Sequence, residues 1–249
     1  LAAEAKQRPA FYALRPGGWR DFVTLLHPPY TLWHVSYVAI GAAAAPQVHA
    51  GRLGAAIAAF FLAVGIGAHS LDELHGHPLG TLLSRRALLV LATFGLGGAL
   101  AIGAAGVFAV SATLLPLVAI GVFLVPAYNL ELFGGRFHTD FWFAAAWGAF
   151  PALTGWWSNA LALSSAREAI AAVAATLACF WLSVAQRRLS TPVRELRRRT
   201  VTVSGEQRLA DGAARRLDAA SLSGPLDGAL RALSVAVPAL AIAGVALRI

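Results

Sequence analysis

Seven apolar stretches, at roughly 31–48, 53–71, 87–106, 108–128, 141–158, 165–186 and 229–247, recur along a chain of 249 residues. Each is about 16 to 22 residues long, close to the ~20 residues with which a helix crosses about 30 Å of hydrocarbon. In a bilayer core each backbone N–H and C=O must find its partner within the chain, so runs of this kind are helices packed on one another. With 58% hydrophobic and only 13% charged residues, the chain lies outside the usual range of soluble domains. The sequence therefore predicts an all-α polytopic transmembrane helical bundle of about seven helices, forming a single transmembrane domain over 1–249. The third and fourth stretches meet around Ala105 and Gly106. A tight hairpin is expected there, because one helix of ~40 residues would span about twice the hydrocarbon thickness.

Lysine and arginine are retained on the cytoplasmic side of short loops. With a cytoplasmic N-terminus, seven crossings place 17 of the 20 Lys and Arg residues inside, all but Arg52, Arg167 and Arg248. The expected location is thus the plasma membrane, with residues 1–26 as a cytoplasmic or interfacial segment and 187–228 as a basic cytoplasmic loop or interfacial insertion. Within that insertion, Ser190, Thr191 and Pro192 read as a helix start, and Ser223–Gly228 (SGPLDG) as a turn before the last crossing. The net charge of +8 finds its partner in anionic membrane lipids rather than nucleic acid. Cys179 is the single cysteine, which excludes an internal disulfide framework and a cysteine zinc knuckle.

The same topology gathers six of the seven histidines, all but His49, at the inner end of the bundle. Of the twelve acidic residues only Glu168 falls outside. His34 and His69 lie in or beside apolar sequence, where an ionisable group is costly unless it is paired or faces a polar cavity. If the second crossing stays helical through residue 73, His69, Asp72 and Glu73 share one face at i, i+3 and i+4. His75, Gly76 and His77 then form the breaking turn before Pro78. One imidazole and two carboxylates, with His77 and Glu131 in reach, make a candidate metal set. Carboxylates favour Mg or Mn, and imidazoles shift the preference towards Zn, Fe or Mn. A clasp between helix ends is the other reading of the same groups. His34, His69, Asp72, Glu73, Glu131 and His138 lie at one depth and are expected to converge.

The fourth crossing ends in VPAYNLELFGGRFHTD, residues 125–140. Tyr128, Asn129, Glu131 and Arg136 offer donors and acceptors around Gly134 and Gly135, suited to a polar headgroup. A capped helix with an interfacial tyrosine is the plainer alternative. Beyond residue 185, Arg187, Arg188 and Arg194 are candidates to hold a phosphate or diphosphate, most of the other arginines serving the anionic lipid surface.

The succession of LHPPYTLWHVSYVAIGAAAAP, an apolar crossing ending in AHSLDELHGH, and AYNLELFGGRFHTDFWFAAAWGAFPALTGWW resembles the intramembrane aromatic prenyltransferases typified by the ubiquinone and menaquinone enzymes, here called UbiA-like. The resemblance spans roughly residues 20–190. It implies an all-helical membrane fold, an isoprenoid diphosphate bound through magnesium, and transfer of the prenyl group to a lipophilic acceptor. It maps the family's Asn-Asp-x-x-Asp-x-x-x-Asp motif onto His69, Asp72, Glu73 and His77, its tyrosine onto Tyr128 and its following basic residue onto Arg136. The chain departs from the pattern where His69 replaces the first asparagine and where an arginine-rich segment replaces the second Asp-rich loop.

Two function classes follow. In one, a divalent metal, Mg foremost, held by His69, Asp72, Glu73, His77 and Glu131 orients an isoprenoid diphosphate. Tyr128 and Arg136 then stand with Asp72 and Glu73 in the catalytic set, and Arg187, Arg188 and Arg194 bind the leaving diphosphate. In the other, the His/carboxylate cluster of a UbiA-like scaffold holds a non-haem Fe, Mn or Zn ion that acts on a quinone-like lipid, ligates haem, or serves as a structural subunit of a membrane complex.

Overall fold

The computed structural model describes residues 8–249, so Lys6 and the first seven residues of the 1–26 segment lie outside it. Among the described residues there are eight continuous helices. The seven longer ones match the seven apolar stretches. A short interfacial α1 (Trp19–Leu25) leads into α2 (Pro28–Ala43), which begins on two prolines with fixed φ and no N–H to waste. Then come α3 (Ala50–Gly76), α4 (Arg85–Ala109), α5 (Ala112–Asn129), α6 over 140–160, α7 (Ala166–Arg198) and α8 (Ala219–Ala246). The chain is an integral membrane protein: α3, α4, α5, α7 and α8 are each long and apolar enough to cross a bilayer.

The remaining two long helices, α2 and α6, form the centre. Trp33, Tyr37, Val38 and Ala42 of α2 and Ala152 of α6 have no exposed surface. A helix enclosed by other helices need not be apolar towards lipid, which is why α2 carries Thr31, His34 and Ser36 and α6 carries Ser158 and Asn159, all buried. Small residues allow the two to touch backbone to backbone. A Cβ on Gly41 would overlap the Ala152 carbonyl, and one on Gly155 the Val38 carbonyl. A third close approach sets Gly95 of α4 against α3, where a Cβ would stand 2.7 Å from Gly67 N.

Two helices contain a π-helical stretch, Phe61–Ala68 in α3 and Ala145–Ala149 in α6. Both lie beside the histidine-rich end. At the opposite end two of the outlying basic residues are tied to backbone oxygens. Arg248 donates to the carbonyls of Ala45 (2.6 Å) and Pro46 (2.9 Å), and Arg52 to that of Asn159 (3.4 Å).

Three boundaries differ from the sequence expectation. α4 runs past Ala105 and Gly106 to Ala109, and the break falls at Ser111, whose hydroxyl accepts from Thr113 N at 3.2 Å. No helix starts at Ser190: α7 continues unbroken through Pro192 to Arg198. Pro192 leaves only the carbonyl of Arg188 without its donor, and Arg188 is exposed, so water can serve it. Nor is Ser223–Gly228 a turn, because α8 already begins at Asp218, whose side chain and Ser221 form a reciprocal capping box. The non-helical insertion shrinks to 199–218. It holds an exposed antiparallel hairpin, β1 (Gly205–Arg208) with β2 (Ala214–Leu217), the one β structure among the described residues.

Candidate functional site: a polar cavity beside an apolar chamber

A polar cavity of about 140 Å³ lies at the histidine-rich end, between the N-terminal strap and helices α2, α3, α5, α6, α7 and α8. His27, His34, His69 and His138 line it together with Asp72, Tyr128 and Asn129. Four of the six clustered histidines therefore converge, whereas His75 and His77 are exposed. His49 sits at the other end, its N–H donating to Asn159 Oδ1 at 2.7 Å.

The chain fixes the tautomer of three of these imidazoles. His34 Nδ1 is 2.7 Å from the carbonyl of Trp147, His69 Nδ1 is 3.3 Å from that of Gly65, and His138 Nδ1 is 3.0 Å from that of Tyr128. A carbonyl oxygen only accepts, so each Nδ1 carries a proton, and in its neutral form each ring presents a lone pair at Nε2. The Trp147 carbonyl is available because Pro151, four residues on, has no N–H to give it. Gly65 belongs to the π stretch of α3. π stretches recur at functional sites, and here each supplies the carbonyl that orients a cavity histidine. His27 stacks on His69 with centroids 4.0 Å apart and shares a 2.8 Å hydrogen bond with the Tyr12 hydroxyl. Burial, reinforced by His69, Arg198 and Arg194, holds His27 well below the usual imidazole range, and burial likewise raises the Tyr12 hydroxyl.

Four guanidinium groups, those of Arg187, Arg194, Arg197 and Arg198, line the cavity against the two carboxylates of Asp72 and Asp227. They lie along one face of α7 at helical spacing. Arg187 pairs with Asp140 at 2.8 Å and rests over the Phe143 ring, and Arg197 pairs with Asp227. Among the described residues Arg194 and Arg198 have no carboxylate within ion-pair distance. Arg194 donates only to the Thr191 hydroxyl, at 3.3 Å. Arg194 is half-buried and Arg198 exposed; a guanidinium with no paired carboxylate has the donors and charge to receive an anion.

Of the residues selected from sequence, His69, Asp72, Tyr128, Arg187 and Arg194 meet at this cavity. Glu73, His77, Glu131, Arg136 and Arg188 are not in its lining. Glu73 is turned into the protein, only 1% exposed, accepting from Leu79 N (2.9 Å), Thr81 N (2.8 Å) and the Thr81 hydroxyl (2.9 Å), with His77 Nδ1 at 3.3 Å. It clasps the 78–81 turn to the end of α3. Glu131 and Arg136 are exposed on the loop after α5, Glu131 standing 4.0 Å from His138 Nδ1. Sequence reasoning missed Arg197, Arg198, Gln186, Tyr12 and Asp227. The signal that could have found Arg197 and Arg198 is the spacing 187, 190, 194, 197, 198 on one helical face.

Among the described residues no group of three or more His, Cys, Asp or Glu side chains is placed to hold a metal ion. The donor set still fits a magnesium ion brought with a phosphate ligand, since such ions are commonly held by one or two carboxylates plus phosphate oxygens. Asp72 is the carboxylate that would take that part.

A second chamber, of about 440 Å³, opens between α3, α4, α5 and α6. Its walls are mainly Ala, Gly, Leu, Val and Phe side chains, with Thr93, Thr154 and Ser158 among them and Arg52 at its far end. Val64 and Trp147 belong to both chambers, so one side chain of α3 and one of α6 form the partition between the polar and the apolar space. Comparison with family models, with curated proteins and with solved structures returned no match.

Proposed function

We propose that this chain is a UbiA-like membrane transferase that moves a prenyl group from an isoprenoid diphosphate to a lipophilic, quinone-like acceptor, at the cytoplasmic face of the plasma membrane with its N-terminus inside. The observation that carries this reading is the pair of chambers that share Val64 and Trp147, one holding two guanidiniums with no carboxylate in ion-pair distance among the described residues, the other lined mainly by apolar side chains. An amphiphile with an anionic head and a hydrocarbon tail fills both. Arg194 and Arg198 hold the diphosphate, and Arg187 and Arg197 reinforce the field through their partly neutralised pairs. The tail lies in the apolar chamber. The donor's C1–O bond breaks with its electron pair going to the diphosphate. A carbon of the acceptor bonds to C1, and the proton displaced from that carbon passes to a neutral imidazole Nε2 of the cavity. Magnesium bound with the diphosphate would be held by Asp72 and would neutralise phosphoryl charge. Anionic lipids are the partners of the arginines outside the cavity.

The test is binding and turnover of geranylgeranyl diphosphate by the protein in nanodiscs with magnesium. Arg194→Gln and Arg198→Gln are each expected to weaken binding about tenfold, the worth of a charge-assisted hydrogen bond. Arg136→Gln and Arg188→Gln, outside the cavity, should leave it within about twofold of wild type. Equal affinities for all four variants would refute the assignment of the anion site.

A second reading has one observation in its favour, the Nδ1–H hydrogen bonds of His34, His69 and His138 to backbone carbonyls, although these three side chains are not grouped at metal-holding distances. Neutral imidazoles oriented through Nδ1–H are how proteins present histidine to zinc, iron or manganese. Tight, diphosphate-independent retention of such a metal by the purified protein would favour that chemistry over prenyl transfer.

A further inference from the structure

The apolar chamber carries a charge at the end away from the polar cavity. Arg52, in the first turn of α3, lines that end, and Val64, further along the same helix, is shared with the polar cavity. The two are about 18 Å apart along the helix axis, the reach of a long alkyl chain. Arg52 is half-buried, and among the described residues it has no carboxylate within ion-pair distance. Its partner is the carbonyl of Asn159 at 3.4 Å, which engages one of the five N–H donors of a guanidinium. Glu168, the acidic residue expected at this end, is taken up by Ser164, whose N–H and hydroxyl donate to it at 2.9 and 2.6 Å. α3 also begins here with no side-chain cap, so its dipole adds to the positive potential. A cation is repelled from this end. A small anion satisfies Arg52 and leaves the chamber unfilled, and a plain hydrocarbon does the reverse. A long chain with an anionic head satisfies both. A volume of about 440 Å³ lies in the range that holds one drug-sized ligand, and so one chain rather than the two of a phospholipid.

We infer that the chamber is a site for a long-chain fatty carboxylate drawn from the bilayer, its head paired with Arg52 and its chain running towards Val64 and Trp147. One guanidinium can meet both oxygens of a carboxylate. The head sits at the end opposite to that of an isoprenoid diphosphate, whose own head belongs to the polar cavity. The two chains claim the same space, so the fatty carboxylate excludes the prenyl tail and makes activity answer to the free fatty acid content of the membrane. That exclusion rests on the transferase reading; the Arg52 site rests on the chamber and its guanidinium alone.

The experiment is saturation binding of tritiated palmitate and tritiated hexadecanol, which differ in the charge of the head, to the full chain in dodecyl maltoside. Wild type is expected to prefer palmitate by roughly tenfold, the worth of a charge-assisted hydrogen bond. Arg52→Gln should abolish the preference by weakening palmitate alone, and should leave the affinity for inorganic diphosphate unchanged. Arg167→Gln, an exposed arginine in the first turn of α7, should leave the preference intact. Gly97→Leu places a side chain in the chamber wall where a Cβ meets nothing within 4 Å, and should weaken palmitate and hexadecanol alike. No preference in wild type, or one that survives Arg52→Gln, overturns the proposal. Palmitate binding that depends on Arg52 but ignores Gly97→Leu also overturns it, since Arg52 is then an interfacial anchor with no chain in the chamber. Phosphatidylglycerol that displaces palmitate at equal concentration overturns the single-chain occupant. Palmitate should further weaken geranylgeranyl diphosphate but not inorganic diphosphate. If it weakens neither while its own binding still needs Arg52 and Gly97, the fatty carboxylate site stands and the prenyl tail leaves the chamber.

Discussion

Glu73 separates a metal ligand from a clasp more sharply than any other residue of the chain. Its carboxylate receives two backbone N–H groups and a hydroxyl from Leu79 and Thr81, which are 5% and 2% exposed. Glu73→Ala removes the acceptor for both N–H groups at once. Each buried donor left without a partner costs about 1–3 kcal/mol, and the Thr81 hydroxyl can rotate to another acceptor, so the loss is about 2–6 kcal/mol. Glu73→Gln keeps one oxygen but turns its NH₂ against the other backbone N–H, so it should lose about 1–3 kcal/mol. For a chain of this length those losses correspond to roughly 5–20 °C and 2–10 °C in melting temperature. Tryptophan fluorescence during heating in detergent reads the first quantity. Hydrogen exchange at the Leu79 and Thr81 amides reads the local one, since opening of the 78–81 turn exposes both. Diphosphate affinity measured well below the melting temperature should stay within about threefold of wild type for both variants. A Glu73→Gln protein with wild-type melting temperature and amide protection, but lost magnesium-dependent diphosphate binding, would refute the clasp and restore Glu73 as a ligand.

Other consequences are as direct. Gly155→Ala drives a Cβ into the Val38 carbonyl, so it should destabilise the α2–α6 crossing by ~1–3 kcal/mol or more, whereas Gly97→Ala, with nothing within 4 Å, should be neutral or slightly stabilising; thermal unfolding of the two side by side checks this. His27 is held neutral well below the ordinary imidazole range by burial, so between pH 6.5 and its lowered folded value the unfolded chain binds the proton and the native chain does not. Stability is then full above about pH 6.5 and falls as the pH drops, by at most ~1.4 kcal/mol per unit for this group; His27→Asn, which tolerates the left-handed backbone at φ 47°, should flatten the slope in melting temperature between pH 7.5 and 5. In a Cys179→Ser background, cysteines placed at 80, 136 and 205 should react from the cytoplasmic side and those at 111 and 164 from the outside, and labelling of 111 and 205 from the same side would overturn the topology.

What the sequence disclosed and what it hid divide along a physical line. Apolar length is a one-dimensional property, so the seven long helices were legible, and simple alternation of crossings was enough to bring His34, His69, Asp72 and His138 to one end. Glu73 shares a helical face with His69 and Asp72 in projection, but its fate was set by the backbone N–H groups of Leu79 and Thr81, and backbone donors leave no trace in a pattern of side chains. The arginines of α7 were obscured by Pro192, which reads as a boundary although the helix passes through it. In a membrane helix that reading is weak, because neighbouring groups or water re-satisfy the one carbonyl a proline frees. The same chemistry, turned inward, builds the site. Pro151 frees the Trp147 carbonyl, that carbonyl takes the proton-bearing Nδ1 of His34, and the Trp147 ring stands between the polar cavity and the apolar chamber. A single imino acid in α6 therefore leaves free the carbonyl that orients a histidine of α2, in a residue whose ring lines both chambers.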